Sequence, residues 1–286
     1  MQIGTPLAGL LVTLALAWPV AAQESTQASV DAALEAVQGA ATAGGLAEVV
    51  KIDHARLAAG AGAEMGPSRV LILSDPAIST PILESEIRAG VDLPFRVLSF
   101  DDAGTARVIY TNFAFLAARH GLEESDAGAA FDARLAEVLA AANVEASAAP
   151  VEGLARDFGV LELASAHGFD ATIERLRSAI VAQDDTVWFG IVDFTADAAA
   201  LGVTLPRATL LLFGGPAPGG VAMKDFPAIG LDAFCQKILV YEGPEGALRV
   251  IYNDIAALAT LHYGTSAKPH HALNERLTAT FAKALE

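Results

Sequence analysis

The stretch "RVIYTNFAFLAARHG" occupies residues 107–121, and "RVIYNDIAALATLHYG" occupies residues 249–264. The repetition is not confined to these phrases. Asp53 and Asp193 lie 140 positions apart, as do Pro76 and Pro216, Gly90 and Gly230, and Asp92 and Asp232. Farther on, Arg107 and Arg249, Tyr110 and Tyr252, Leu116 and Leu258, and His120 and His262 lie 142 apart. The two extra residues fall where "DDAGTA" (101–106) faces the longer "EGPEGAL" (242–248), a plausible place for a turn to grow. An ordered series of matches with one small change of offset means a duplicated domain.

Within one copy the pattern reads as follows. "SVDAALEAVQGAATAGG" (29–45) spaces Val30, Ala33, Leu34 and Val37 as a helix and ends on a Gly-Gly stop. "LAEVVKIDH" (46–54) is strand-like, and "SRVLILSD" (68–75) is a buried strand bounded by Pro67 and Pro76. "ISTPILESEIRAG" (78–90) reads as a short helix or irregular segment, and "FRVLSF" and "TARVIY" form a hairpin about "DDAG". Asn112 starts a short helix that stops at Gly121, with Asp254 in its place in the second copy. "FDARLAEVLAAAN" (131–143) closes copy one. Copy two runs from the strand "GVLELASAHG" (159–168) to a final helix "HALNERLTATFAKALE" (271–286). Hairpins and short connections argue for α+β, with a mostly antiparallel sheet and helices packed on one face.

The chain has 286 residues, 53% of them hydrophobic, enough for two domains and too apolar for disorder. Net charge is −16, with 34 acidic against 18 basic residues and no Lys/Arg cluster, which argues against nucleic acid. The apolar run "LAGLLVTLALAW" (7–18), followed by "PVAAQE" with Val20 and Ala22 before a cut at Ala22–Gln23, reads as an export signal. The expected organisation is a signal peptide at 1–22, domain 1 at 23–143, a small-residue linker at 144–155 and domain 2 at 156–286. The expected location is periplasmic or secreted, with no stable membrane insertion after cleavage.

These residues resemble the DUF302 family of unknown function. The likeness rests on "IDHA" (52–55), "SRVLILSDPAISTPILESEIRAGVDLP" (68–94), "RVLSFDDAGTARVIYTN" (96–112) and "LAARHG" (116–121). In that family a strand ending in Ile-Asp-His is followed by a "fGNP–gTPlm" segment, "GlDLP", a hairpin and "YnDP–yLaerHG". Residues 191–264 are similar to the same pattern. The resemblance implies two tandem α+β domains of the TATA-binding-protein-like type and no established activity. There are departures. The family's Asn-Pro-Lys is Asp75-Pro76-Ala77 in copy one and Gly215-Pro216-Ala217 in copy two, and Phe194 stands where copy one has His54.

The candidate ligand-binding set is Asp53, His54, Tyr110, Asn112 and His120, with Asp193, Tyr252 and His262 from the second copy. A His beside a carboxylate suits general base chemistry or metal ligation. For His120 and His262 the favoured reading is structural, capping helix-end carbonyls. His54 is the residue whose replacement in copy two suggests a function. Cys235, the single cysteine, reads as a buried, inert thiol. "KPHH" (268–271) makes a conceivable exposed cluster with His262 but lacks metal-site spacing. "GAGAEMG" (60–66) and "GGPAPGG" (214–220) read as turns. No catalytic residue, cofactor or metal is expected. The leading expectation is a non-catalytic, pseudo-symmetric domain pair that takes a small ligand or an envelope protein. The rival is a metal- or cofactor-dependent enzyme or redox accessory centred on His54, which requires His54, Asp53 and His120 to converge.

Overall fold

The computed structural model describes Met1 and residues 18–286; residues 2–17, most of the expected export signal, lie outside the described residues. Helix α1 (Trp18–Ala43) starts well before the expected helix at 29 and runs through the expected cut at Ala22–Gln23. Its Val30, Leu34, Val37 and Ala41 form one fully buried stripe, as helical spacing dictates.

Copy one continues with β1 (Ala47–Asp53), α2 (His54–Gly60), β2 (Ser68–Ser74), α3 (Pro76–Ser85), a 3-10 turn (Ile87–Val91), the hairpin β3 (Phe95–Asp102) and β4 (Thr105–Tyr110), α4 (Phe113–His120) and α5 (Asp126–Ala142). Copy two has β6 (Val160–Ala164), α6 (Phe169–Val181), β7 (Val187–Asp193), α7 (Phe194–Ala200), β8 (Ala208–Gly214), α8 (Pro216–Met223), a 3-10 turn (Pro227–Gly230), β9 (Gln236–Glu242), β10 (Leu248–Asn253), α9 (Ile255–Tyr263) and α10 (Lys268–Leu285). With the two-residue strand β5 (Ser147–Ala148) counted, the sheets are five-stranded, in the orders β1-β2-β3-β4-β5 and β6-β10-β9-β8-β7. Strand β5 (Ser147–Ala148) comes from the expected linker and pairs in parallel with β4, while all other pairings are antiparallel. Each sheet thus gains its fifth strand at the equivalent edge, copy one from the residues after it and copy two from the residues before its first helix.

Two further expectations fail locally. Pro216–Met223 is a helix, not a turn. The glycines that suggested a turn serve a close approach instead: a Cβ on Gly220 would lie 2.6 Å from the Ala58 Cβ of α2. In the "KPHH" segment His270 is buried in the first turn of α10, where Ala267 N–H donates to its Nδ1 at 3.0 Å and Nε2 meets the Ala222 carbonyl at 2.9 Å. No exposed histidine cluster with His262 forms.

The strands β2 and β8 are buried along their whole length. Helices cover one face of each sheet, and the 3-10 turn of the other copy packs against the sheet from elsewhere. A Cβ on Gly90 would stand 3.0 Å from Leu239 and 3.1 Å from Phe194; one on Gly230 would stand 3.0 Å from Leu98 and 3.5 Å from His54. The repeated glycine is therefore the point where each copy's backbone presses onto the other's sheet. The apolar core is continuous across this boundary, with Leu98, Phe194, Leu239 and Ile251 in one cluster.

Candidate functional site

Two residues after each pressed glycine stands a carboxylate, Asp92 or Asp232, and both are fully buried where the copies meet. Asp92 accepts from Arg119 Nη1 at 2.8 and 2.7 Å and from Arg96 Nη2 at 3.1 Å, and it meets His120 Nε2 at 2.7 Å. Asp232 meets His262 Nε2 at 2.6 Å and lies 3.4 Å from Arg96. Arg119 crosses between the copies: it also donates to the carbonyls of Phe158 and Gly159 and to Asn253 Oδ1, at 2.9, 3.0 and 2.8 Å. Asn253 donates in turn to the Asp232 carbonyl at 2.9 Å, and so does Lys237 Nζ.

Burial alone pushes the Asp92 carboxyl up, but Arg119, Arg96 and His120 together hold it well below the usual carboxylate range. Asp232 is pushed up by burial too, and ends below its ordinary value through the His262 hydrogen bond and Arg96. Burial, then Arg96, lowers the Lys237 ammonium to about 8. The centre holds three basic side chains, Arg96, Arg119 and Lys237, against two carboxylates. Most of its charge is compensated within the group, while Arg96 Nε and Nη1, His120 Nδ1 and Asp232 Oδ1 are buried without a hydrogen-bond partner. It is built to join the copies.

The imidazoles of His120 and His262 therefore hold carboxylates 28 and 30 positions away rather than helix-end carbonyls. The helix ends close on Gly121 and Gly264, both left-handed at φ 68° and 70°. Asp53 and Asp193 cap α2 and α7, accepting from Arg56 N–H and Ala196 N–H. Asp53 also pairs with the Arg56 and Arg69 side chains, while Asp193 lines an open cleft of about 430 Å³ with Asp170 and Arg207. Asn112 caps α4 through Phe115 N–H at 3.0 Å. Tyr110 is half-buried on β4, and Tyr252 donates to Thr278 Oγ1 at 2.8 Å. Among the described residues no hydrogen bond links any two of Asp53, His54 and His120: Asp53 is held by Arg56 and Arg69, and His120 by Asp92.

His54 goes elsewhere. It is the first residue of α2, buried, with Nε2 unpartnered. Burial, then the charge of Lys237, pushes its pKa down to about 3 against the opposing Gly230 backbone, so the ring is neutral. It lines a cavity of about 20 Å³ between the copies, whose other walls include Ile52, Phe189, Met223, Phe234 and Cys235. Cys235 is buried, and burial pushes its thiol up. At the equivalent place in copy two, Phe194 fills its own surroundings against Gly90.

The profile of the family described as "Domain of unknown function DUF302" matches residues 22–142 and again residues 161–284. The chain belongs to the DUF302 family. A solved DUF302 structure, "uncharacterized conserved protein DUF302 from Bacillus stearothermophilus", aligns over 45% of this chain and 98% of its own, with TM-score 0.37 and 15% identity. Among curated proteins, "Fluoride-specific ion channel FluC 1" of Brucella suis biovar 1 (strain 1330) is 36% identical over 106 residues, covering 37% of this chain and 41% of that protein. "Fluoride-specific ion channel FluC 1" of Brucella abortus biovar 1 (strain 9-941) matches at the same identity over 38% of its length. This tandem DUF302 chain thus spans about two-fifths of those relatives. Among the described residues, no helix is long and apolar enough to cross a membrane.

The sequence reading of the DUF302 copies missed Asp92, Asp232, Arg96, Arg119 and Lys237 as a centre. The signal was present: a carboxylate at 92 and 232 and a histidine at 120 and 262 recur together in both copies.

Proposed function

We propose that this tandem DUF302 protein is an exported, non-catalytic binding module that takes a small ligand in the cavity between its domains, at His54. One observation carries the reading. His54 Nε2 is buried without a partner, in a cavity, while Phe194 shows that the same position can be filled by a hydrocarbon ring. A buried unpartnered polar atom is destabilising by about 1–3 kcal/mol, and of the ten such side-chain atoms among the described residues only His54 Nε2 belongs to a residue that lines this cavity. The likeness to proteins named as fluoride-specific channels supports an envelope setting; their channel activity is not carried over to a chain that spans so little of them.

The test is native mass spectrometry of protein isolated from its own compartment, compared with the denatured mass and with His54→Phe. A bound mass present in the wild type and absent from the variant is expected, on a chain beginning at Gln23. An unliganded wild type, in which ring signals of His54 ignore extracts of that compartment, refutes the binding reading. A full-length cytosolic chain refutes export.

A further inference from the structure

The His54 cavity gathers three donors of one chemical character. His54 comes from copy one, and Met223 and Cys235 come from copy two. Their equivalents can be read from the register. Leu73 pairs with Phe95, and Phe213 with Gln236, so residue 94 corresponds to 235; Pro76 and Pro216, like Gly90 and Gly230, set 83 against 223. The equivalent place therefore has Phe194, Leu83 and Pro94, none of which can ligate an ion. All three donors sit at one of the two equivalent places and none at the other.

We propose that this cavity is a copper(I) site, with His54 Nε2, Cys235 Sγ and Met223 Sδ as its ligands. The proposal rests on the reading of the cavity as the binding place and names what it binds. Three observations select the ion. The space, about 20 Å³, holds roughly one water and no organic molecule. A thiolate, a thioether and an imidazole are the donor set that soft Cu(I) favours. Zinc or a harder ion needs three or four His, Cys, Asp or Glu ligands, and among the described residues no such group of three gathers. Charge agrees. As Cu⁺ enters, the Cys235 S–H bond breaks, its proton leaves to solvent and an S–Cu bond forms, with copper remaining Cu(I). One positive charge replaces another, so the apolar walls enclose a neutral unit; a divalent ion would leave a net positive charge buried there. The lone cysteine is not the whole case, since the unpartnered His54 nitrogen lines the same cavity.

The test is anaerobic titration of the full, reduced chain with Cu(I) held by a colorimetric chelator, followed by X-ray absorption at the copper edge. We expect one Cu(I) per chain, with both sulfur and nitrogen scatterers. Outer-shell losses at metal sites already weaken binding about 10–100-fold, so Cys235→Ser and His54→Phe should each lose at least about tenfold. Met223→Leu, which installs copy one's own residue, should also weaken binding. A wild type that takes no Cu(I), affinity unchanged in both Cys235→Ser and His54→Phe, or bound copper without sulfur neighbours overturns the proposal. The last readout uses only wild-type protein, so a variant that fails to fold does not shield the idea. Absence of Cu(I) binding together with a His54-dependent bound mass of another small ion or molecule overturns copper and leaves the binding reading standing; absence of both removes both.

Discussion

Replacing Asp92 by Asn tests whether one buried centre holds the two copies together. The carboxylate is fully buried and takes two hydrogen bonds from Arg119 and one from Arg96, besides its contact with His120. An amide keeps one acceptor oxygen and turns an NH₂ donor toward guanidinium donors. Two buried guanidinium groups and Lys237 then face Asp232 alone, whose Oδ1 stands 3.4 Å from Arg96. Removing one member of a buried ion pair is destabilising by about 3–5 kcal/mol, and Asp92 serves more than one cation, which places it toward the upper end. The damage should not stay in copy one, because Arg119 also holds the backbone at Phe158 and Gly159 and the side chain of Asn253.

The sequence has two tryptophans, and Trp18 lies in the expected export signal, so a chain beginning at Gln23 keeps Trp188, on β7 of copy two, as its single tryptophan; in the full-length chain Trp18→Phe does the same. With a urea slope of about 1–3 kcal/mol/M, the loss moves the Trp188 midpoint down by at least about 1 M. Asp102→Asn is the control: it breaks a pair with Arg107 whose side chains are 46% and 60% exposed, and no measurable shift is expected. If Asp92→Asn lowers part of the far-ultraviolet transition while the Trp188 midpoint stays put, the copies are energetically independent and the reasoning fails.

Three further outcomes follow from the same packing. Asp92 and Asp232 are both held below their ordinary values when folded, so their stabilisation is present above the unfolded value of about 3.9 and is lost as pH falls through it toward the folded values; urea midpoints should begin to drop below about pH 5 and go on falling with further acid, less steeply in Asp92→Asn. Gly90→Val should lower stability by about 1–3 kcal/mol or more, because a Cβ there already lies 3.0 Å from Leu239. Gly39→Ala, in the middle of α1 with nothing within 4 Å of a new Cβ, should raise it by about 0.5–1 kcal/mol, read in the same urea titration.

What the sequence made legible was local or repeated. β-strands such as β2 and β8 announce themselves as short apolar runs, the hairpin as two such runs about a turn, and the caps Asn112 and Asp254 by their place before short helices; the caps Asp53 and Asp193, and the helices α2 and α7 behind them, escape the sequence reading. What it hid was set by distance in the chain. His120 and Asp92 meet because α4 folds back over the 3-10 turn, and nothing near either residue reveals it. Adjacency misled in the opposite sense: Asp53 and His54 are neighbours, but Asp53 turns onto Arg56 N–H as a cap while His54 enters the core. The glycines of 214–220 carry turn chemistry locally, yet the demand for close approach to Ala58 lets them lie in a helix. A two-residue strand such as β5 has no periodicity to detect.

The duplication supplies an internal control for deciding which polar residues are scaffold. Asp92 with His120 and Asp232 with His262 recur in both copies and do the same thing in each, so a packing role accounts for them. The donors at His54, Met223 and Cys235 cannot be explained that way. The equivalent place, with Phe194, Leu83 and Pro94, is buried and filled without a polar side chain, so the fold needs neither an imidazole nor sulfur there. Phe at His54 would also remove an unpartnered nitrogen, worth about 1–3 kcal/mol. On packing alone, His54→Phe should therefore leave stability unchanged or raise it. A stabilised variant that has lost its ligand would separate function from fold at this position, whereas a variant destabilised in the ligand-free state would return His54 to the scaffold.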